Sequence, residues 1–190
     1  LLAPHLDDTF MIEKALSNMT EPILTLTPFD RSGNFSNELI SKVVNNQDAI
    51  DTLIAQLLDT VKNKGFLGVD IDFEYIKATD RDAFVEFVRQ ITETMNENGY
   101  SVSVDLAPKI SADQPGLLYE GKNYGALGQI ANSVLVMTYE WGYTYGPPMA
   151  VAPINKVRQV LDYAVTEIEP AKINMGIPNY GSDWPLPFVR

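Results

Sequence analysis

The amino-acid sequence predicts an α/β fold organised around a parallel sheet. Short apolar runs of extended character alternate with longer stretches whose apolar residues recur every three or four positions, the pattern of repeated β-α units. No Gly/Ser linker, internal repeat or low-complexity tract interrupts the alternation, and 190 residues suit one domain spanning 1–190.

The first strand is expected at Ile23 to Thr27 in EPILTLTPFD. A helix over Asn37 to Val44 follows, then a second over Asp48 to Val61 with Ile50, Leu53, Ile54, Leu57, Leu58 and Val61 on one face. Gly65 ends it as a left-handed cap, and Gly68 to Phe73 reads as the second strand. Thr79 or Asp80 is expected to cap a helix that buries Phe84, Phe87, Val88, Ile91 and Met95 and closes at Asn98-Gly99. Ser101 to Leu106 is the third strand, Tyr124 to Ala131 a short helix and Val134 to Thr138 the fourth strand. A helix over Pro153 to Thr166, with Val157, Val160, Leu161 and Ala164 inward, leads to a fifth strand at Ile173 to Ile177. Five such units fit an open doubly wound sheet or part of a larger barrel. The outer units look cut, because Leu1 to Pro4 begins mid-element and Arg190 comes just after a Trp-Pro-Leu-Pro loop.

Composition excludes several function classes. With 14 Lys and Arg against 25 Asp and Glu, the net charge of −11 opposes a phosphate backbone, so nucleic acid is not an expected partner. The absence of cysteine removes thiolate metal sites and cysteine nucleophiles, leaving oxygen and nitrogen side chains for any catalysis. Apolar runs fall far short of the roughly 20 residues that span a bilayer, and no basic stretch precedes an apolar one at Leu1. Neither Gly-rich phosphate loop is present, and no cofactor is expected.

Chemistry concentrates in Gly68-Val69-Asp70-Ile71-Asp72-Phe73-Glu74-Tyr75. Strand side chains alternate, so Asp70, Asp72 and Glu74 share one face while Val69, Ile71 and Phe73 take the other. Glu74 stands at the carboxyl end, where parallel barrels hold their active sites. Three converging acids cannot all ionise freely, and a rim carboxyl that keeps its proton beside an ionised neighbour suits a general acid for glycosidic cleavage. A solvated acidic loop would not keep one face apolar. A hard-cation site through Asp70 and Asp72 stays open, although one strand supplies few of the oxygens such an ion takes.

The same residues resemble a known family. Gly68 to Glu74 is similar to the D-x-x-D-x-D-x-E signature of family 18 glycoside hydrolases, the chitinase-like (β/α)8 TIM barrels, and Met137-Thr138-Tyr139-Glu140 is similar to their M-x-Y-D motif. Tyr139-Glu140-Trp141-Gly142, Gly146-Pro147-Pro148-Met149-Ala150-Val151-Ala152-Pro153 and Gly176-Ile177-Pro178-Asn179-Tyr180-Gly181 resemble the spore-germination branch, which contains cortex-lytic N-acetylglucosaminidases. The resemblance implies an incomplete barrel, about strands 3 to 7 of the parent, since closed barrels run to about 250 residues.

It also implies roles. Glu74 becomes the general acid/base, Asp72 the residue that orients the substrate's 2-acetamido group, Asp70 its deeper neighbour and Tyr139 a hydroxyl donor to the acetamido carbonyl. Glu140 takes the position of the family's usual Asp. The implied chemistry is substrate-assisted and retaining, with no protein nucleophile. The implied substrate is a polymer of β-linked N-acetylglucosamine, peptidoglycan or chitin-like, and the implied setting is the bacterial cell wall, spore or exterior. Two departures stand out: Leu67 replaces the first Asp of the signature, and Thr25 to Asp30 stands where many members carry S-x-G-G. The family's last-strand Trp would lie beyond Arg190. A sugar-binding relative without hydrolysis and an incomplete-barrel interaction module are the alternatives.

Flat rings suit sugar faces, and Trp141, Tyr143, Tyr145, Tyr180 and Trp184 cluster just past strand ends together with Asn179, so these are the expected substrate-binding residues. Asp105 and Lys109 flank Ala107-Pro108 at another strand end, where Asp105 either faces the cleft or joins a structural ion pair. His5, the single histidine, reads as a surface or capping residue, and Asn18-Met19-Thr20 matches a glycosylation sequon that many unmodified turns also match.

Overall fold

The computed structural model describes residues 7–142 and 146–185. His5, Tyr143 and Tyr145 lie outside the described residues. Five strands, β1 (Ile23–Leu26), β2 (Gly68–Ile71), β3 (Ser101–Leu106), β4 (Ser133–Val136) and β5 (Ile173–Met175), form one sheet in the order β1-β2-β3-β4-β5, with every neighbouring pair parallel. Helix α1 (Thr9–Ser17) precedes β1. Helices α2 (Asn37–Val44) and α3 (Gln47–Lys64) connect β1 to β2, α4 (Arg81–Glu97) connects β2 to β3, and α5 (Tyr124–Ile130) and α6 (Ile154–Glu167) complete the next two units.

Strand order follows chain order throughout. A doubly wound sheet reverses that order at a switch point, where its helices change faces. A run without reversal, joined by right-handed crossovers, keeps every helix on one face. The sheet is therefore singly wound, as in a (β/α)8 barrel, and its other face is free for polar chemistry.

The helix-facing side is a dry hydrocarbon layer. Val69, Ile71, Val102, Val104, Leu106, Val134 and Val136 are fully buried there, against Phe84, Phe87, Val88, Ile91 and Met95 of α4. Phe73 continues this layer past the end of β2, its ring 5.8 Å from Phe84 and 5.3 Å from Phe87. Helix ends carry the expected chemistry. Ser36, Asn46 and Asn123 accept from the backbone N–H of Leu39, Ala49 and Ala126, and Gly65 closes α3 at φ 86°.

The structure departs from the sequence expectation in several places. Helix α1 has no clear sequence periodicity; Ile12 alone of its residues is buried, while Phe10 and Met11 are 75% and 72% exposed. It is held by an ion pair between Asp8 and Lys64 at 2.7 Å. Strands β1, β2, β4 and β5 pair for only three or four residues and end earlier than expected, with single backbone bonds such as Asp72 N–H to Leu26 O continuing past the ladder.

Asp80 stands at the N-terminus of α4 without capping it. Its buried carboxylate instead accepts from Ser41 Oγ and from Asn45 Nδ2, the latter at 2.9 Å, and ties α2 to the start of α4. Asp80→Ala removes the acceptor of Ser41 Oγ and one of the two acceptors of Asn45 Nδ2, which keeps Ser41 O, and is expected to destabilise the fold by about 1–3 kcal/mol. The check is a lower urea midpoint at unchanged slope, with amide-exchange protection lost first in α2.

Candidate active site

Side-chain alternation outlasts the β2 ladder. Past Ile71 the backbone stays extended, and Asp72 N–H still donates to Leu26 O at 3.1 Å. Phe73 is buried with Val69 and Ile71 on the helix side, while Asp70, Asp72 and Glu74 lie half-buried on the inner face. Asp70 accepts a hydrogen bond from Ser103 Oγ, its register partner on β3. The same register, extended two residues, sets Asp72 level with Asp105 on the neighbouring strand. One oxygen of each, Asp72 Oδ1 and Asp105 Oδ1, is buried with no hydrogen-bond partner.

Four carboxyl groups thus meet on one partly dehydrated surface. Burial raises the Asp70 carboxyl, against the Ser103 hydrogen bond and the Lys122 charge. Burial also raises Asp72, opposed by Lys122 and reinforced by Asp70. Glu74 is raised by burial and by Asp72, with Lys122 opposing and Glu140 adding to the effect. Asp105 is raised furthest, to about 7, by burial and then by Asp70 and Asp72. Each carboxyl is held toward its protonated form by the loss of water, and Asp72, Glu74 and Asp105 also by neighbouring acids.

The fourth strand brings Tyr139 to this surface. Gly176 N–H donates to Val136 O at 2.9 Å, and Thr138 Oγ1 donates to Gly176 O at 2.7 Å, which clasps the ends of β4 and β5 together. The Tyr139 ring lies directly on Gly176, where any Cβ would overlap it. Burial, with Asp105 and Glu140 adding, pushes the Tyr139 phenol up to about 12, so it remains a hydrogen-bond donor across the neutral range. Glu140 is exposed and takes a hydrogen bond from the Tyr180 hydroxyl. Tyr75 (φ 57°) and Glu140 (φ 66°) are non-glycine residues in the left-handed region, one directly after Glu74 and the other directly after Tyr139.

The remaining expected residues scatter. Trp141 is partly buried against the core and donates its backbone N–H to Val151 O at 3.0 Å. Asn179 and Tyr180 are exposed beyond β5, and Trp184 is partly exposed farther along. Lys109 does not pair with Asp105; its Nζ donates to Ala112 O at 2.9 Å and Lys122 O at 3.0 Å.

Two features escaped the sequence reading. An aromatic run of Phe29, Phe35 and Tyr75, with ring centroids 4.8 and 6.1 Å apart, borders Glu74. Lys122 is 1% exposed beneath the acids. A lysine in a loop reads as solvated; the one signal was Gly121 beside it, where a Cβ would overlap the Ile76 main chain. Among the described residues no group of three or more His, Asp or Glu is arranged to hold a metal ion, and no helix is long and apolar enough to cross a membrane.

A singly wound sheet of parallel β/α units places the chain in the class of (β/α)8 barrels. The chain belongs to glycosyl hydrolases family 18, which it matches over residues 32–187. It is 39% identical over 189 residues to the cortical fragment-lytic enzyme of Bacillus subtilis, a match covering 100% of this chain and 43% of that protein. The crystal structure of the spore cortex-lytic enzyme SleL of Bacillus megaterium superposes with a TM-score of 0.91 at 41% identity, over 100% of this chain and 42% of that one. The chitinase of Chromobacterium violaceum superposes at 0.87 with 25% identity, over 95% and 56%. The chain spans less than half the length of the curated relatives it matches.

The acid cluster makes stability depend on pH in a defined sense. Between the ordinary aspartate range and about pH 7, folded Asp105 holds a proton that the unfolded chain releases, so stability falls as pH rises through that window. Lys122, lowered to about 8 chiefly by burial, acts oppositely above pH 8, where the folded protein has lost a proton the unfolded chain retains. Asp105→Asn preserves shape and removes the first effect. Its melting temperature relative to the parent should climb from pH 4 to pH 7 and then level off; a constant difference would contradict the assignment.

Proposed function

We propose that this chain carries the catalytic face of a glycosidase acting on β-linked N-acetylglucosamine polymers, with spore or cell-wall peptidoglycan ahead of chitin-like polymers. The observation that carries the reading is the row Asp70, Asp72, Glu74 on one face, with Glu74 at the rim and raised toward its protonated form. The names of the cortex-lytic relatives support peptidoglycan as the polymer and a bacterial spore or wall as the setting.

The mechanism is the one the family resemblance implies, with these groups in its roles. Protonated Glu74 gives its proton to the glycosidic oxygen as the bond to the anomeric carbon breaks. The substrate's own acetamido oxygen attacks that carbon from the opposite face and forms an oxazolinium ion. Asp72 stabilises the positive charge and the N–H of this ion, and the Tyr139 hydroxyl donates to the acetamido oxygen and aligns it. Glu74, now a carboxylate, takes a proton from water as the water opens the ring, and configuration is retained. Asp70 lies deeper on the same face and tunes Asp72.

Trp141, Asn179, Tyr180, Trp184 and Asp105, together with Tyr143 and Tyr145, are assigned to sugar contact. Strands β1 and β5 each present one edge that pairs with no other strand among the described residues. In the working enzyme, further strands from the parent chain or from another copy cover those edges.

Release of reducing ends from peptidoglycan and from N-acetylglucosamine oligomers tests the reading. Glu74→Gln is expected to lose about 10²- to 10⁴-fold in kcat, the usual contribution of general acid-base catalysis. A folded parent and variant that are both inert, yet bind the oligomer equally, would replace hydrolysis with sugar binding. Gly176→Ala pushes on the Tyr139 ring and should lower kcat by roughly 10- to 100-fold with the fold intact, as misplacement of an aligning group does.

A further inference from the structure

Lys122 is a buried titratable group that the mechanism above does not use. It lies in the connection between β3 and α5, and its environment is built rather than incidental. Its Nζ donates to the backbone carbonyl of Asp105 at 2.6 Å and sits 5.1 Å from the centre of the Phe84 ring on the other side. The loop around it is pinned from within: Lys109 Nζ holds Lys122 O, Lys109 N–H donates to Tyr124 Oη at 3.1 Å, and Tyr124 Oη donates to Ala107 O. Burying an ammonium in this way is costly unless nearby charge compensates it.

The compensation comes from the acid site. The charges that act on Lys122 are those of Asp105 from β3 and of Asp72, Glu74 and Asp70 from β2 and its extension; Phe84 of α4 is neutral, and Lys109 adjoins from its own loop. Farther round the site, Glu140 bears on Glu74, and Tyr139 on Asp105. No carboxylate oxygen forms an ion pair with Lys122 among the described residues. Its charge is therefore shared through space by all four acids rather than spent on one, and it is the cation that bears on each of them.

We propose that Lys122 is a positioning residue for catalysis, the buried counter-charge that holds Asp105 in place through its main chain and keeps Asp72 ionised among its acidic neighbours while Glu74 carries the transferable proton. The inference rests on the hydrolytic reading for its role in turnover; its charge coupling rests on the buried Nζ held at the Asp105 carbonyl and on the register that sets Asp72 beside Asp105. Two buried oxygens without partners, Asp72 Oδ1 and Asp105 Oδ1, lie where such a charge has most effect, because in a dehydrated site each acid lacks the water that would otherwise stabilise it.

The coupling is read without substrate, by carbon NMR of the Asp72 and Asp105 carboxyl groups across pH. In the parent protein, Asp105 is expected to titrate near 7 and to show a second inflection near 8, as Lys122 loses its proton. Lys122→Met should raise the Asp105 midpoint by about one unit, the size of shift a nearby opposite charge produces, and Lys122→Arg should restore it. An unchanged midpoint in folded Lys122→Met overturns the proposal. If that variant fails to fold, absence of the second inflection in the parent overturns it instead.

In turnover, the acidic limb of the kcat/KM profile should move to higher pH in Lys122→Met and return in Lys122→Arg, whereas a merely structural lysine would lower activity without moving the limb. An inert chain whose carboxyl groups still respond to Lys122 would sink the hydrolytic reading alone. An active chain with uncoupled carboxyl groups would sink the role of Lys122 alone.

Discussion

The loss of water around four carboxyl groups on one face, reinforced by repulsion among them, is the constraint around which the rest of this structure is arranged. Asp70, Asp72, Glu74 and Asp105 are held on the inner face because period-two alternation forces them there once Val69, Ile71, Phe73, Val104 and Leu106 are committed to the helix layer. Their positions follow from the core, so their repulsion must be relieved chemically. Ser103 donates to Asp70, burial keeps a proton on Asp105 up to about pH 7, and Lys122 supplies one positive charge from below.

That relief depends on parts of the fold that carry no chemistry themselves. Lys122 can lie beneath the acids because Gly121 lets the loop approach the main chain of Ile76, and because Lys109 and Tyr124 hold the loop from the opposite side. Tyr139 can face the acids because Gly176, directly after β5, leaves room for its ring. Tyr75 and Glu140 adopt a backbone conformation that costs about 1–3 kcal/mol each at non-glycine positions. Tyr75 directly follows Glu74 and Glu140 directly follows Tyr139, so the strained backbone sits beside the two side chains proposed as acid/base and donor.

The singly wound sheet makes the arrangement possible and also leaves it open. All helices crowd one face, which gives the other to the acids, and β1 and β5 remain edges among the described residues. The backbone superposes on the cortex-lytic and chitinase structures, of which this chain covers 42% and 56%. An inner face enclosed by further strands would be drier than the one described, and the acids would be displaced further toward their protonated forms.

Much of this was legible in the sequence because it rests on short-range rules. Alternation in Gly68 to Glu74 placed three acids on one face, helical spacing in Asp48 to Val61 and Phe84 to Met95 placed the core, and Gly65 and Asn98-Gly99 marked helix ends. Helix α1 escaped because it is held by Ile12 and a distant ion pair rather than by a periodic face. The choice between a doubly wound and a singly wound sheet was not in any segment, since it depends on which strands pair. Asp105 and Lys122 joined the site for the same reason. Strand register and a folded-back loop brought together residues 33 and 50 positions after Asp72, counting from the numbering. The sequence by itself determined which side chains could do acid chemistry, through local periodicity; only the tertiary structure decided how many acids share the site and which cation steadies them, because charge coupling depends on distance in space.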